Sequence, residues 1–172
     1  MSVQEYLQQH HCGYRVTEHK PVFTAEQLAV VEHVSPRQVA KPVVVRCDGQ
    51  YYLCVLPADR KIDFYAIGHH LKVKNVDLAS EQEMKTLFTD SELGAEPPFG
   101  NLYNLPTLMD KTLAKDKEIV FQAGSHKQSL WMSMDDYKKL TNPDIFSFSY
   151  PQVLDEIESM PFDPFFYDPY GI

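Results

Sequence analysis

The stretch Pro42-Val43-Val44-Val45-Arg46-Cys47-Asp48-Gly49-Gln50-Tyr51-Tyr52-Leu53-Cys54-Val55-Leu56-Pro57 decides the fold. Pro42–Cys47 reads as a strand that begins at its proline, because proline has no N–H to give to a ladder. Asp48-Gly49 is the strongest short hairpin signal in the chain, since both residue types tolerate the positive φ of a tight hairpin turn. Tyr51–Leu56 is then the returning strand, stopped by Pro57. Both runs are rich in valine, leucine and tyrosine, which suit a buried sheet.

Helices and strands alternate on either side of this hairpin. Val3–His11 carries Val3, Tyr6 and Leu7 at helical spacing, with Ser2 as N-cap, Glu5 as its capping-box partner and Gly13 as the stop. Tyr14–Glu18 is extended, Thr24 caps a helix through Leu28 and Val31, and Ser35-Pro36 opens a further helical turn. Asp63 starts an amphipathic helix with Phe64, Ile67 and Leu71, and Val73–Leu78 is a strand. Ser80 opens the next helix with Glu83 as its capping-box partner. Leu105–Met109 and Glu118–Ala123 are short strands, and Ser133 caps a helix containing Tyr137 and Leu140. One more amphipathic helix is expected within Ile145–Met160, starting after Pro151. The tail Pro161–Tyr170 is dense in proline and aromatic residues, and is expected to cover an apolar groove or dock on a second chain. Strands interleaved with helices, plus a hairpin, imply a single-domain mixed α/β fold.

The 172 residues suit one domain. At this size a chain buries roughly 70% of the surface exposed by its unfolded state, enough for a true core. A formal net charge of -8 argues against loose, sequence-independent nucleic-acid binding, which depends on neutralising phosphates. A local basic site remains compatible with it. Cys12, Cys47 and Cys54 make an odd number without CxxC spacing, so neither a disulfide framework nor a cysteine-rich zinc site is expected. The N-terminus lacks the basic and apolar regions of a secretory signal, and no apolar run approaches the ~20 residues of a membrane span. The expected compartment is the cytoplasm.

Phosphate-binding GxxxxGK[ST], GxGxxG, GxSxG and HExxH patterns are all absent. His10-His11-Cys12 and His69-His70 are adjacent residues, which do not face one another on a helix, so no metal is implied. Three features remain. Gly94-Ala95-Glu96-Pro97-Pro98-Phe99-Gly100 must be a stiff loop, either a connector or a backbone cradle for developing negative charge. Lys41 precedes the central strand, as a solvated strand end or as a phosphate or carboxylate contact. Gly124-Ser125-His126 follows a strand end, as an ordinary turn or a place of close ligand approach.

Taken in order, these features resemble a known family. Gln38-Val39-Ala40-Lys41 leads into a strand. Leu56-Pro57-Ala58-Asp59-Arg60 follows, with Asp63 beginning a helix. Glu81–Glu83, Gly94–Gly100, Leu105-Pro106 and Phe121-Gln122-Ala123-Gly124-Ser125-His126 complete the set. The series is similar to that of the YbaK/ProX-type aminoacyl-tRNA deacylases and of the editing domain inserted in bacterial prolyl-tRNA synthetases. It covers roughly residues 10–142.

The resemblance implies a partly barrel-like central sheet surrounded by helices, with an editing domain over 1–142 and a C-terminal segment over 143–172. It implies hydrolysis, in trans, of the ester joining a wrong amino acid to the tRNA 3′-terminal adenosine, with no cofactor. The lysine matching Lys41 would hold the terminal phosphate or ribose region. Gly94 and Ala95 would place backbone groups around the scissile carbonyl and water, with Pro98 completing that loop. Gly124, Ser125 and His126 would shape the aminoacyl pocket, and Phe23 would line it. The partners implied are the aminoacyl-tRNA acceptor end and an aminoacyl-tRNA synthetase, with no membrane, for a monomer or homodimer.

An activated ester requires positioning and oxyanion stabilisation, which rigid backbone donors supply without a serine or cysteine nucleophile. Two positions depart from the family pattern: Pro42, where relatives carry threonine or asparagine, and Glu96, an acid tolerable beside an anionic tRNA end if it points outward. The rival readings are a non-catalytic tRNA- or protein-binding module of the same fold, and a hydrolase of small-molecule esters.

Overall fold

A computed structural model describes residues 1–152. The chain runs α1 (Val3–Gln9), β1 (Arg15–Glu18), α2 (Ala25–Val31), a 3-10 turn at Pro36–Gln38, β2 (Ala40–Cys47), β3 (Gln50–Pro57), β4 (Arg60–Ile62), α3 (Phe64–Leu71) and β5 (Val76–Leu78). It continues through α4 (Glu81–Leu87), a 3-10 turn at Gly100–Tyr103, β6 (Thr107–Asp110), α5 (Lys111–Ala114), β7 (Glu118–Gln122), β8 (Gln128–Ser133), α6 (Met134–Thr141), β9 (Asp144–Phe146) and β10 (Ser149–Pro151).

The β2–β3 hairpin is the centre of a five-stranded sheet of order β5-β2-β3-β6-β9. β2 and β3 pair antiparallel from Ala40↔Pro57 to Cys47↔Gln50, with Asp48 at φ 48° and Gly49 at φ 87° making the turn. β6 joins β3 in parallel, and β9 joins β6 in parallel, so the sheet is mixed as expected. A second, antiparallel sheet has the order β1-β8-β7, and β10 pairs with β4. A single parallel bridge, Val39↔Val120, ties the two larger sheets together. The arrangement curls around a core without closing into a barrel.

The hairpin separates two cores because successive side chains point to opposite faces. Val44, Leu53 and Val55 pack with Met109, Phe121, Leu130 and Met132, between the two larger sheets. Val45, Cys47, Cys54 and Leu56 pack on the other face against Ile67 of α3. Cys47 and Cys54 are buried free thiols. Burial pushes both thiols above the ordinary range.

Thr24, Asp63, Ser80 and Ser133 each cap their predicted helix with a side-chain oxygen, as expected from their sequence positions. Ser2 caps α1 through the Glu5 N–H, but the helix ends at Gln9 with His11 left-handed, not at Gly13. β2 starts at Ala40, two residues before Pro42. The proline is tolerated there because β5 covers only Val45–Cys47 and leaves that part of one edge unpaired. β4, α5 and β8 are additions to the sequence reading.

Ile145 and Phe146 belong to β9 and Ser149–Pro151 form β10, two short strands that precede the point after Pro151 where the helix is expected. The buried Asp110 carboxylate helps fix the turn, accepting from Thr112 N at 3.1 Å and from Phe148 N at 2.8 Å. The remainder of that expected helix and the aromatic tail lie outside the described residues.

The Gly94–Gly100 loop is bolted to this frame at its C-terminal end. Phe99 is buried against Phe121 and Tyr137, at ring-centroid distances of 5.7 and 5.2 Å. Gly100 has no room for a side chain, since a Cβ there would lie 2.4 Å from the Leu105 carbonyl oxygen. Tyr137 donates its hydroxyl to the Pro98 carbonyl at 2.6 Å. Removing that hydroxyl leaves a buried acceptor unpaired, so Tyr137→Phe is expected to lower stability by about 1–2 kcal/mol, read as a lower urea midpoint at unchanged m-value.

A second prediction concerns α4, which the Glu83 carboxylate ties to the hairpin. Tyr51 donates its hydroxyl to Glu83, the Ser80 N–H donates at 2.9 Å, and Arg46 donates at 2.8 Å. These contacts, Tyr51 first, hold the Glu83 carboxyl down to about 2 from the ordinary 4.5. A depressed folded-state pKa stabilises above the unfolded value, and that stabilisation is lost as pH falls from about 4.5 through about 2. Urea titrations of wild type and Glu83→Gln should therefore converge across that window and differ above it.

Candidate functional site

Four separate segments meet at a pocket of about 300 Å³. Phe23 and Thr24 come from the entry to α2, and Lys41 and Pro42 from β2. Gly94 and Glu96 come from the stiff loop, and Gln122 from the end of β7. Leu28 and Val39 form part of its apolar wall. The structure thus brings Phe23, Lys41 and the loop together, although they are far apart along the chain.

Lys41 is placed by strand alternation. Its neighbour Ala40 is buried, while Lys41 is half-buried and lines the pocket. Its ammonium donates to the carbonyls of Arg60 at 2.6 Å and Ala58 at 3.3 Å, in the tight turn between β3 and β4. The cation is therefore held by main-chain oxygens of that turn, and Lys41 lines both this pocket and a second one formed with Val43, Leu56 and Phe64.

The loop is shaped by Gly94, whose φ of 90° belongs to glycine. That curl turns the Gly94 N–H onto the Glu96 side chain, at 3.0 Å from Oε1 and 3.1 Å from Oε2. The Ala95 N–H donates to Glu92 O at 2.9 Å, and the Ala95 carbonyl accepts from Gly124 N at 2.8 Å. The Glu92 N–H donates to Gly124 O at 3.0 Å, so this end of the loop is zipped to the end of β7. The main-chain N–H of Glu96 has no acceptor among the described residues. Glu96 does not point outward. It is 5% exposed and faces the pocket.

His126 braces the site from behind. Its ring nitrogens lie 2.9 Å from Val22 O and 2.9 Å from Leu93 O, and its ring lies 4.8 Å from that of Phe23. A Cβ on Gly94 would lie 3.4 Å from the His126 ring. His126 therefore fixes Phe23 and Gly94 with respect to each other. Gly124 acts through its backbone bonds to the loop. Ser125 accepts from Lys127 N at 3.1 Å and lines a shallow depression with Glu18 and His19 instead. Pro98 is buried behind the loop and does not line the pocket.

Two pocket residues escape sequence reasoning. The sequence leaves the direction of Glu96 open, and the backbone curl at Gly94 sets it. Gln122 is 7% exposed, donates to Val22 O at 3.3 Å, and leaves its amide oxygen without a partner among the described residues. The available signal was a lone amide ending the apolar run Ile119-Val120-Phe121. Among the described residues no three His, Cys, Asp or Glu side chains gather as a metal site.

The chain matches known proteins over the segment that builds this pocket. The model of the aminoacyl-tRNA editing domain family matches residues 19–140. The multifunctional Ser/Thr-tRNA deacylase ProXp-y of Escherichia coli (strain K12) is 29% identical over 147 residues, covering 83% of this chain and 87% of that protein. The prolyl-tRNA editing protein ProX of Acetoanaerobium sticklandii is 25% identical over 134 residues, covering 74% of this chain and 81% of that protein. The fold is shared with the crystal structure of a candidate trans-editing enzyme for prolyl tRNA synthetase. That comparison gives a TM-score of 0.76 and 20% identity, covering 86% of this chain and 94% of the other. The chain belongs to the aminoacyl-tRNA editing domain family.

Proposed function

We propose that this protein deacylates mischarged tRNA in trans, hydrolysing the ester that joins an amino acid to the 3′-terminal adenosine. The observation that carries this reading is the convergence of Phe23, Lys41, Gly94 and Glu96 on one pocket in a chain of this family. The named activities of the relatives make serine and threonine the first amino acids to test.

Lys41 supplies positive charge for the terminal phosphate or ribose region, with its ammonium already oriented by the Ala58 and Arg60 carbonyls. Phe23 forms the apolar side of the aminoacyl pocket, and His126 holds it in place. Stabilising the tetrahedral oxyanion needs an N–H that is rigid and not already satisfied. The Gly94 and Ala95 N–H groups are engaged within the loop, whereas that of Glu96 is open among the described residues. The oxyanion donor is therefore the Glu96 N–H, with Gly94 and Ala95 as the frame that aims it. Loss of one such donor typically costs about 3 kcal/mol of barrier.

The reaction needs no nucleophilic side chain, since water attacks an ester already activated by its ribose leaving group. Among the described residues no helix is long and apolar enough to cross a membrane. The cytoplasm is the proposed compartment, with a synthetase as candidate partner and a monomer or homodimer as the assembly. The internal engagement of the Gly94 and Ala95 N–H groups favours one rival, a binding module that has lost turnover.

A panel of tRNAs charged with Ala, Ser, Cys, Thr or Pro separates the two. Release of at least one amino acid is expected, and silence across the panel with retained tRNA binding selects the module. Lys41→Ala should reduce release by 100-fold or more while the circular dichroism spectrum is kept; normal turnover would remove Lys41 from the mechanism. Gly94→Ala forces an alanine to φ 90° against His126, so turnover should drop together with about 1–2 kcal/mol of stability.

A further inference from the structure

Glu96 is an expensive residue to place where it stands. A carboxylate has about four lone-pair sites to fill. This one receives a single N–H, shared between its two oxygens, and no cation pairs with it among the described residues. A buried charge so poorly compensated is destabilising unless something else completes it. Gln122 repeats the pattern on the same pocket, with a buried amide oxygen that has no donor. The amide's own N–H₂ already donates to Val22 O. Both residues line the pocket, but the Gln122 oxygen is shut off from it and the acceptor in want of donors there is Glu96.

We propose that Glu96 is a specificity-determining residue that recognises the free α-ammonium group of the esterified amino acid. This rests on the deacylase reading and adds a substrate class to it. An ammonium offers three donors and a positive charge. Near neutral pH a free α-amino group takes up a proton readily, the peptide value being about 7.7–8.0 and that of an ester somewhat lower. A side-chain hydroxyl would offer one donor and no charge, leaving the carboxylate uncompensated.

The polarity of the pocket matches the substrate from end to end. Lys41 marks the wall suited to phosphate, and Glu96 marks the wall suited to the ammonium. Such complementarity fixes register as well as affinity. It also defines what is refused: an ester whose nitrogen is acylated, as in N-acetylaminoacyl- or peptidyl-tRNA, presents no cation and adds bulk where the carboxylate stands.

The test compares Ser-tRNA with N-acetyl-Ser-tRNA, for wild type and Glu96→Gln. Glutamine keeps an oxygen for the Gly94 N–H, and the substrate ratio cancels any uniform loss of folded protein. Wild type is expected to hydrolyse the free form about 10- to 100-fold faster in kcat/KM, the range for a hydrogen bond to a charged group. Glu96→Gln should lose that factor on the free form and little on the acetylated one. An equal loss on both forms, or an unchanged ratio, overturns the proposal and leaves the deacylase reading standing.

A stable analogue, seryl amide-linked to 3′-amino-3′-deoxyadenosine, tests recognition without turnover by calorimetry. Wild type should bind it more tightly than its N-acetyl derivative, and Glu96→Gln should bind both alike. Such binding without hydrolysis of any charged tRNA keeps the ammonium site and overturns the deacylase reading. Absence of both binding and hydrolysis overturns both.

Discussion

The site depends on one buried ring. Phe99 is fully enclosed, packing on Phe121 and Tyr137, with Tyr6 at a centroid distance of 6.2 Å. It follows Pro97-Pro98 directly, so the position of the ring dictates where Glu96 can be. Burying a phenylalanine contributes about 1.5–3 kcal/mol. Burying a carboxylate with too few partners costs more than that, since about 1–3 kcal/mol is already the penalty for a neutral polar group. The ring thus offsets part of the placement of Glu96, and the two prolines remove the backbone freedom by which the loop would otherwise turn its carboxylate out to water.

The other end of the loop is held by polar bonds. Glu92 and Ala95 exchange main-chain hydrogen bonds with Gly124, and His126 touches both Val22 O and Leu93 O. An apolar anchor fixes depth and a polar zipper fixes direction. Between them the donors and acceptors of the pocket are oriented before any ligand arrives, which is how hydrogen bonds of ordinary strength become effective in a transition state. The acidic balance of the chain is compatible with a nucleic-acid substrate on the same terms. A net charge of -8 gives no general attraction for a polyanion, so the proposed function asks for local recognition, and the ammonium of Lys41 stands oriented by the Ala58 and Arg60 carbonyls.

What the sequence discloses follows from the range of the forces involved. Caps at Thr24, Asp63, Ser80 and Ser133 are legible because each acts within three residues. The hairpin is legible because its turn is encoded by Asp48-Gly49 alone. Lys41 and the glycine-proline loop are legible as an ordered series of motifs. β8 and β9 are not, because their extended state is imposed by partners far away: β1 and β7 for one, β6 for the other. The inward turn of Glu96 is hidden for a related reason. It follows from a single dihedral angle at Gly94, which composition and spacing do not report. Ser125 and Pro98 belong to recognisable motifs, yet one faces another depression and the other lies behind the loop. Membership of a motif fixes a residue's neighbours in the chain, not the direction of its side chain.

The pairing of β1 with β8 joins Val16 to Leu130, and the bridge between the two larger sheets joins Val39 to Val120. Contacts between residues so distant in the chain form late, because the entropy of closing a long loop is lost before any contact repays it. The hairpin closes over a few residues and can form early. The pocket draws on Phe23 at one extreme and on Gln122 and His126 at the other. During synthesis the chain must therefore emerge past His126 before the two walls can meet. A shorter chain carries the lysine and the loop but no enclosure around them, so the pocket is absent until then.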